Sequence, residues 1–211
     1  MTNLGKGAAI GGGGGAAVGA GVGALIGGGK GAGIGAAIGA AVGAGAGMLI
    51  GKKMDDQAAQ LREIENAKVE EAVDANGLKA IRVTFDGGIL FPTNGTTLSA
   101  TAKTDLNEFA ASLLQNPETN VQVYGYTDNT GSMEVNQRVS TGRADAVRSY
   151  LIGSSVAANR VTAVGLPMQN YIASNDTPAG RAQNRRVEIF ISANEQMIKQ
   201  AEAEAAKQGM N

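Results

Sequence analysis

Residues 121–152 read VQVYGYTDNTGSMEVNQRVSTGRADAVRSYLI, and two periodicities meet inside them. Val121, Val123 and Gly125 occupy alternate positions of a run ending at Tyr126, the two-residue repeat of a strand. From about 132 to 152, Val135, Val139, Val147 and Leu151 recur at helical intervals, which predicts an amphipathic helix with those four facing inward. The connection between them, Thr127-Asp128-Asn129-Thr130-Gly131, is polar and short. A strand that hands over to a long helix through such a turn puts the turn's side chains at the edge of a sheet.

The same pattern extends outward. Upstream, Ser99 is a good N-cap for a helix whose Ala102, Leu106, Phe109, Ala110 and Leu113 face inward, ending at Asn116-Pro117. Before it, the runs 69–74 and 78–85 flank Asn76-Gly77, a dipeptide that favours a type I′ hairpin turn, with Ile81, Val83 and Phe85 on one buried face. Downstream come a strand at 160–164, a long loop, and a strand with Val187, Ile189 and Ile191 on one face. Residues 194–208 read as a polar terminal helix, with no further domain expected after it. Strands alternating with two long helices predict an α+β fold, a βαβαβ-like layer of helices on one mixed sheet.

The first quarter of the 211-residue chain is chemically different. It holds 21 of the 32 glycines, four lysines and no acid, whereas all Phe and Tyr lie after residue 84. From Gly7 to Gly51 a glycine falls at every fourth position without a miss. In a helix that step returns to nearly the same face and leaves a groove along which another backbone can pack. Lys30 divides the lattice into uncharged stretches of residues 7–29 and 31–51, each about the ~20 residues that cross a bilayer core, with Gly27-Gly28-Gly29-Lys30 as the turn. Two readings stand: a flexible glycine/alanine tether, or a packed glycine-zipper helical hairpin associated with membrane, which the unbroken lattice and the Ile34, Ile38, Val42 stripe favour. The hairpin also allows a homo-oligomer. The organisation expected is a membrane-associated glycine segment over 1–53, a helical spacer and first strand over 54–78, a folded domain over 79–192, and a polar helix over 193–211.

Absences exclude several chemistries. Without Cys there are no disulfides, thiolate zinc sites or thiol nucleophiles, and without His there is no imidazole base. No Gly-rich phosphate-binding register occurs in the glycine segment: a Walker pattern ending at Lys30 would need Gly at 24 and Ser or Thr at 31, where the chain has Ala24 and Gly31. No catalytic role, metal or cofactor is expected. Residues after 53 carry 14 basic and 19 acidic groups, the wrong balance for a nucleic-acid partner. The start of the chain lacks a charged-then-apolar leader, so an exported form with an acylated anchor would need a Cys upstream of residue 1.

Longer motifs carry a family likeness. Thr127-Asp128-Asn129-Thr130-Gly131, Asn136, Val139-Ser140, Arg143-Ala144, Val147 and Leu151 resemble the pattern T-D-x-x-G, N-x-x-L-S-x-x-R-A-x-x-V-x-x-x-L. The runs Ile172-Ala173-Ser174-Asn175 and Gly180-Arg181-Ala182-Gln183-Asn184-Arg185-Arg186-Val187-Glu188 are similar to its closing signature. That pattern is the OmpA-like C-terminal domain, shared with peptidoglycan-associated lipoproteins and MotB-type stator proteins, and the likeness covers roughly 79–192. Three positions depart from it: Tyr126 replaces the usual His, Val139 replaces Leu, and Leu166-Pro167-Met168-Gln169-Asn170-Tyr171 replaces an acidic, proline-containing run.

The resemblance implies binding to the peptidoglycan stem peptide through diaminopimelate, at the periplasmic face of the outer membrane of a Gram-negative cell. A zwitterionic amino-acid end needs an anion for its ammonium and a cation for its carboxylate. In the matching motifs Asp128 and Arg143 take those roles, with Thr127 and Asn136 at the rim. Read on their own, Asp128 and Arg143 are equally well a structural ion pair or loop anchor. Arg185 and Arg186 alternate along a strand, so one of them, with Arg185 the candidate, can face the site. The function expected is a noncatalytic tether between outer membrane and cell wall. The alternative is a membrane oligomer, pore or stator-like, built by the zipper and anchored by the wall domain.

Overall fold

A computed structural model describes residues 42–92 and 95–210. The glycine lattice up to residue 41, and with it most of the expected helical hairpin, lies outside the described residues. The elements are α1 (Ala44–Leu61), β1 (Ala67–Val73), β2 (Lys79–Asp86), α2 (Gly87–Leu90), α3 (Ala100–Gln115), β3 (Thr119–Tyr126), α4 (Met133–Gly153), a 3-10 turn at Ala158–Arg160, β4 (Val161–Leu166), α5 (Pro178–Asn184), β5 (Arg186–Ala193) and α6 (Glu195–Lys207). The strands form one sheet in the order β1-β2-β5-β3-β4. β1 and β2 are joined by a tight turn and run antiparallel, whereas β3 and β4 are parallel, Val121 opposite Val161 through Tyr126 opposite Leu166. The sheet is therefore mixed, and the α+β architecture agrees with the reading of the sequence.

The described residues fall into two compact units: 57–69 with 82–92 and 95–191, and 42–56 with 70–81 and 192–210. The first unit has the larger core. Val121, Val123, Val187, Ile189 and Ile191 are fully buried, as are Leu106, Phe109, Leu113, Val147 and Leu151 of the helices. Phe85 and Phe109 meet edge to face at 6.1 Å between centroids. Ser99 caps α3 by accepting from the Ala102 N–H, and Ser132 caps α4 by accepting from Val135 N–H. The start of β3 is held by buried Arg160, which donates to the carbonyls of Thr119 (2.7 Å), Leu113 (3.0 Å) and Asn116 (2.8 Å) and to Thr119 Oγ1 (2.9 Å). Burial lowers the Arg160 pKa, with Glu118 opposing.

In the second unit, α1 runs from Ala44 without a break through the division at 53/54 inferred from composition. Ala46, Ile50 and Met54 are buried, and Lys79 pairs with Asp55 and with Glu71. No helix among the described residues is long and apolar enough to cross a membrane. The terminal helix α6 is less polar than expected, because Met197, Ile198, Ala201 and Ala205 form a buried stripe.

Two local expectations are corrected. The Asn76-Gly77 turn is not type I′, which needs two residues with positive φ; only Gly77 has one (φ 76°). Asp74 decides the turn, its Oδ1 accepting from the N–H groups of Asn76 (2.8 Å) and Leu78 (2.9 Å). In α4, Val135 is exposed and Val139 half-exposed, so they do not face inward. The inner face is Asn136, Ser140, Arg143, Ala144, Val147 and Leu151, polar in its first half.

The reason lies in the sheet beneath. Gly125 and Gly165 are partners across β3 and β4. A Cβ on Gly125 would strike the Ser140 carbonyl oxygen, and one on Gly165 would strike the Thr141 hydroxyl and backbone nitrogen. The backbone of α4 thus rests directly on the two glycines, and that contact fixes which face of the helix turns inward. Gly125→Ala and Gly165→Ala should each lower stability by ~1–3 kcal/mol through this overlap, seen as an earlier urea midpoint at unchanged slope. Gly153→Ala, whose added methyl meets nothing within 4 Å, should be near neutral.

Candidate functional site

The strand exit after Tyr126 places Asp128 where β3 ends and α4 is about to begin. Its carboxylate is almost wholly enclosed, with a side-chain exposure of 5%. Oδ1 accepts from the Thr130 N–H (2.9 Å) and the Thr130 hydroxyl (2.5 Å), and Oδ2 accepts from Arg185 Nη1 (2.6 Å). Burial alone would raise the Asp128 pKa. The hydrogen bonds from Thr130 and Arg185, with the Arg185 charge, outweigh it and hold the carboxyl below its ordinary value.

Arg143 projects from the polar half of the inner face of α4 and is 4% exposed. Its Nε donates to the Gly95 carbonyl (3.1 Å), and its guanidinium lies over the Phe91 ring, 5.2 Å from the centroid. Among the described residues its two terminal nitrogens have no acceptor. Burial lowers the Arg143 pKa and the neighbouring Arg185 charge adds to that, while Asp128 opposes.

Both groups line one cleft of about 410 Å³, together with Gly87, Gly88, Phe91, Thr127, Thr130, Val135, Asn136, Val139 and Arg185. The structure therefore brings together all five residues singled out from the sequence, Thr127, Asp128, Asn136, Arg143 and Arg185. The ion pair runs between Asp128 and Arg185; Arg143 stands apart from it, its terminal nitrogens without an acceptor among the described residues. Of the lining side chains, Asp128 is the one anion and Arg143 and Arg185 are the two cations.

Thr127 and Asn136 support the rim. Thr127 Oγ1 accepts from the Met168 N–H (3.0 Å), and Asn136 Nδ2 donates to the carbonyls of Thr130 (2.7 Å) and Ser132 (3.0 Å). The first ties the loop after β4 to the cleft, and the second braces the turn that carries Asp128. That loop, in which Tyr171 stands, holds Met168 and Asn170 at positive φ (50° and 53°). Buried Asn184 accepts from the N–H groups of Ile172 (2.8 Å) and Ala173 (3.1 Å) and keeps the loop in place.

The neighbouring arginines separate clearly. Arg185, at the C-cap of α5, keeps a side-chain exposure of 42% and reaches Asp128. Arg186 is not a surface charge: it is 2% exposed, stacks over Tyr126 at 3.9 Å from the ring centroid, and pairs with Glu188 at 2.6 Å. Tyr126, in the place of the family's His, thus belongs to this buried stack and not to the cleft lining. Its hydroxyl pKa is raised by burial and by Glu188.

Sequence reasoning missed Gly87, Gly88 and Phe91. The Gly87 N–H donates to the Arg185 carbonyl at 2.8 Å, and a Cβ there would strike the same carbonyl, so the glycine seats Arg185. The signal was Asp86-Gly87-Gly88 directly after a strand, with Asp86 capping α2. No group of three or more acidic side chains among the described residues could hold a metal ion.

The OmpA family model matches residues 90–185 and the glycine zipper model matches residues 10–58. Among curated relatives, a probable lipoprotein, YiaD, of Escherichia coli K12 is 43% identical over 136 residues, 62% of this chain and 62% of that protein. The peptidoglycan-binding protein ArfA of Mycobacterium tuberculosis is 43% identical over 113 residues, 54% of this chain and 35% of ArfA. The chain thus spans less than two thirds of these relatives' length. Among solved structures, the cell wall anchor of the T6SS from Pseudomonas aeruginosa superposes with a TM-score of 0.56 at 27% identity, covering 67% of this chain and 97% of that one. A MotB-like protein from Desulfovibrio vulgaris shares the fold, with a TM-score of 0.60 at 22% identity over 70% of this chain and 96% of that one. Over residues 90–185 the chain therefore resembles the OmpA family, and over residues 10–58 it matches a glycine zipper.

Proposed function

We propose that this protein is a noncatalytic tether that links the outer membrane to the cell wall by gripping the diaminopimelate of the peptidoglycan stem peptide. One observation carries the reading: Asp128 and Arg143, buried and of opposite charge, line the same cleft, and Arg143 keeps its terminal nitrogens free of described acceptors. The ligand ammonium sits against the Asp128 carboxylate, and the ligand carboxylate takes the planar fork of Arg143 in paired hydrogen bonds. Arg185 holds Asp128 in the absence of ligand. Its exposed side chain can lean toward the carboxylate when the ammonium arrives, so that the carboxylate meets two cations.

The cleft works electrostatically and needs no proton transfer. The naming of ArfA as a peptidoglycan-binding protein and of the Pseudomonas structure as a cell wall anchor supports the wall as partner. The naming of a related probable lipoprotein supports a place in the cell envelope, with the glycine zipper of residues 7–51 on the membrane side.

Removing one member of a buried charge pair costs ~2–5 kcal/mol of binding. Asp128→Ala and Arg143→Ala should therefore each weaken binding to insoluble peptidoglycan roughly thirtyfold or more. Circular dichroism of both variants checks that the fold survives, and full retention by both folded variants contradicts the assignment.

The pH profile is a second readout. Asp128 is held below the ordinary carboxylate value, so it stays ionised as pH falls through about 3.9. Wall binding should be flat from neutral pH down to that point and fall only below it. Thr130→Val removes the hydroxyl bond to Oδ1 and should move the acid limb upward; an unmoved limb would show that another group governs it.

A further inference from the structure

On the opposite side of the Val135–Val139 ridge from the cleft lies a second hollow, of about 620 Å³, lined by Thr96, Gly131, Arg138 and Gly142 and sharing Thr130, Val135 and Val139 with the cleft. Helix spacing explains the pair. Asn136, Val139 and Arg143 fall on one stripe of α4, while Val135, Arg138 and Gly142 fall on the next, so each stripe walls one depression. Arg138 is exposed and has no hydrogen bond or ion pair among the described residues. Gly142 offers no side chain, and the Thr96 side chain packs against it, so the two together form the wall beside Arg138. No acidic side chain lines this hollow.

We propose that this hollow is a second anion subsite, in which Arg138 takes the free carboxylate of the stem residue that precedes diaminopimelate. The inference rests on the diaminopimelate reading of the cleft and extends it to the next residue of the same ligand. In a γ-linked glutamate the side-chain carboxyl forms the peptide bond and the α-carboxylate is left free. Arg138 and Arg143 are five residues apart, ~7.5 Å along the helix axis and ~140° around it, so the way from one to the other passes over the Val135–Val139 ridge. The cleft and the hollow share Thr130, Val135 and Val139, so peptide that leaves the cleft over this ridge enters the hollow next. Val135, 43% exposed, lies under the bridging backbone and gives its apolar atoms a surface to cover. The cleft reads the residue that distinguishes the stem, and the hollow reads the charge of its neighbour.

The test uses the whole chain and three probes in calorimetric titration: free meso-diaminopimelate, muramyl tripeptide ending in diaminopimelate, and the same tripeptide with its glutamate α-carboxyl amidated. Arg138→Gln is the variant, placed on an exposed helix surface where folding is not at stake. An exposed charge pair contributes up to ~1 kcal/mol, so the acidic tripeptide should bind wild type about two- to fivefold tighter than the amidated one. Arg138→Gln should erase that difference and leave the affinity for free diaminopimelate unchanged. Equal binding of the two tripeptides by wild type overturns the subsite, as does a variant that keeps the preference or weakens free diaminopimelate equally. Failure of the cleft reading looks different: free diaminopimelate then does not bind wild type at all, and the subsite falls with it.

Discussion

The contact on which the site depends is the seating of α4 on Gly125 and Gly165. Two glycines, paired across parallel strands, leave no Cβ between sheet and helix, so the helix backbone approaches until the Ser140 carbonyl and Thr141 amide lie against the strands. Interiors are close-packed, and such an approach fixes the rotation of a helix as well as its height. Here the rotation turns Asn136, Ser140 and Arg143 inward, toward the strand exit that holds Asp128. The first three turns of α4 are thereby committed to holding a polar site, and the apolar packing is left to Val147 and Leu151.

The site that results is assembled from several sequence-distant segments. The turn after β3 gives Asp128, α4 gives Arg143, the α5 C-cap gives Arg185, and α2 with the following loop supplies the glycines and Phe91. Each charged group is held by something other than the ligand: Thr130 for Asp128, Gly95 and Phe91 for Arg143, the Gly87 N–H for the backbone of Arg185. Preorganised groups need little rearrangement to bind, which keeps the cost of association down. Arg185 is the exception. Its side chain is 42% exposed and pairs with Asp128, and in the proposed function it yields that place to the ligand ammonium.

The sequence made the scaffold legible where one periodicity ruled. The strand at 121–126, the helix after Ser99 and the strand at 187–191 agree with the structure because each has one apolar face and a clear cap or turn. Legibility failed where a backbone contact overrode the side-chain pattern. Val135 and Val139 repeat at helical intervals but flank the cleft, since Gly125 and Gly165 on the strands beneath decide the inner face. Arg185 and Arg186 could not be ranked by strand alternation because Arg185 caps a short helix and β5 begins only after it. The burial of Arg186 depended on Tyr126 and Glu188, partners that no local pattern announces. The motif residues Thr127, Asp128, Asn136 and Arg143 were found together because their spacing as a set, more than the chemistry of any one of them, is distinctive.

If the glycine-seated helix and the turn before it hold the two halves of a zwitterion grip, the ends of the ligand must engage Asp128 and Arg143 in a single event. A titration of the protein with meso-diaminopimelate followed by nitrogen NMR reads both at once, through the Thr130 amide that bonds Asp128 and the Arg143 Nε–H that bonds Gly95. The account predicts that the two signals shift along the same isotherm and saturate together. Movement of the Thr130 amide with an unmoved Arg143 signal, or the reverse, would contradict it.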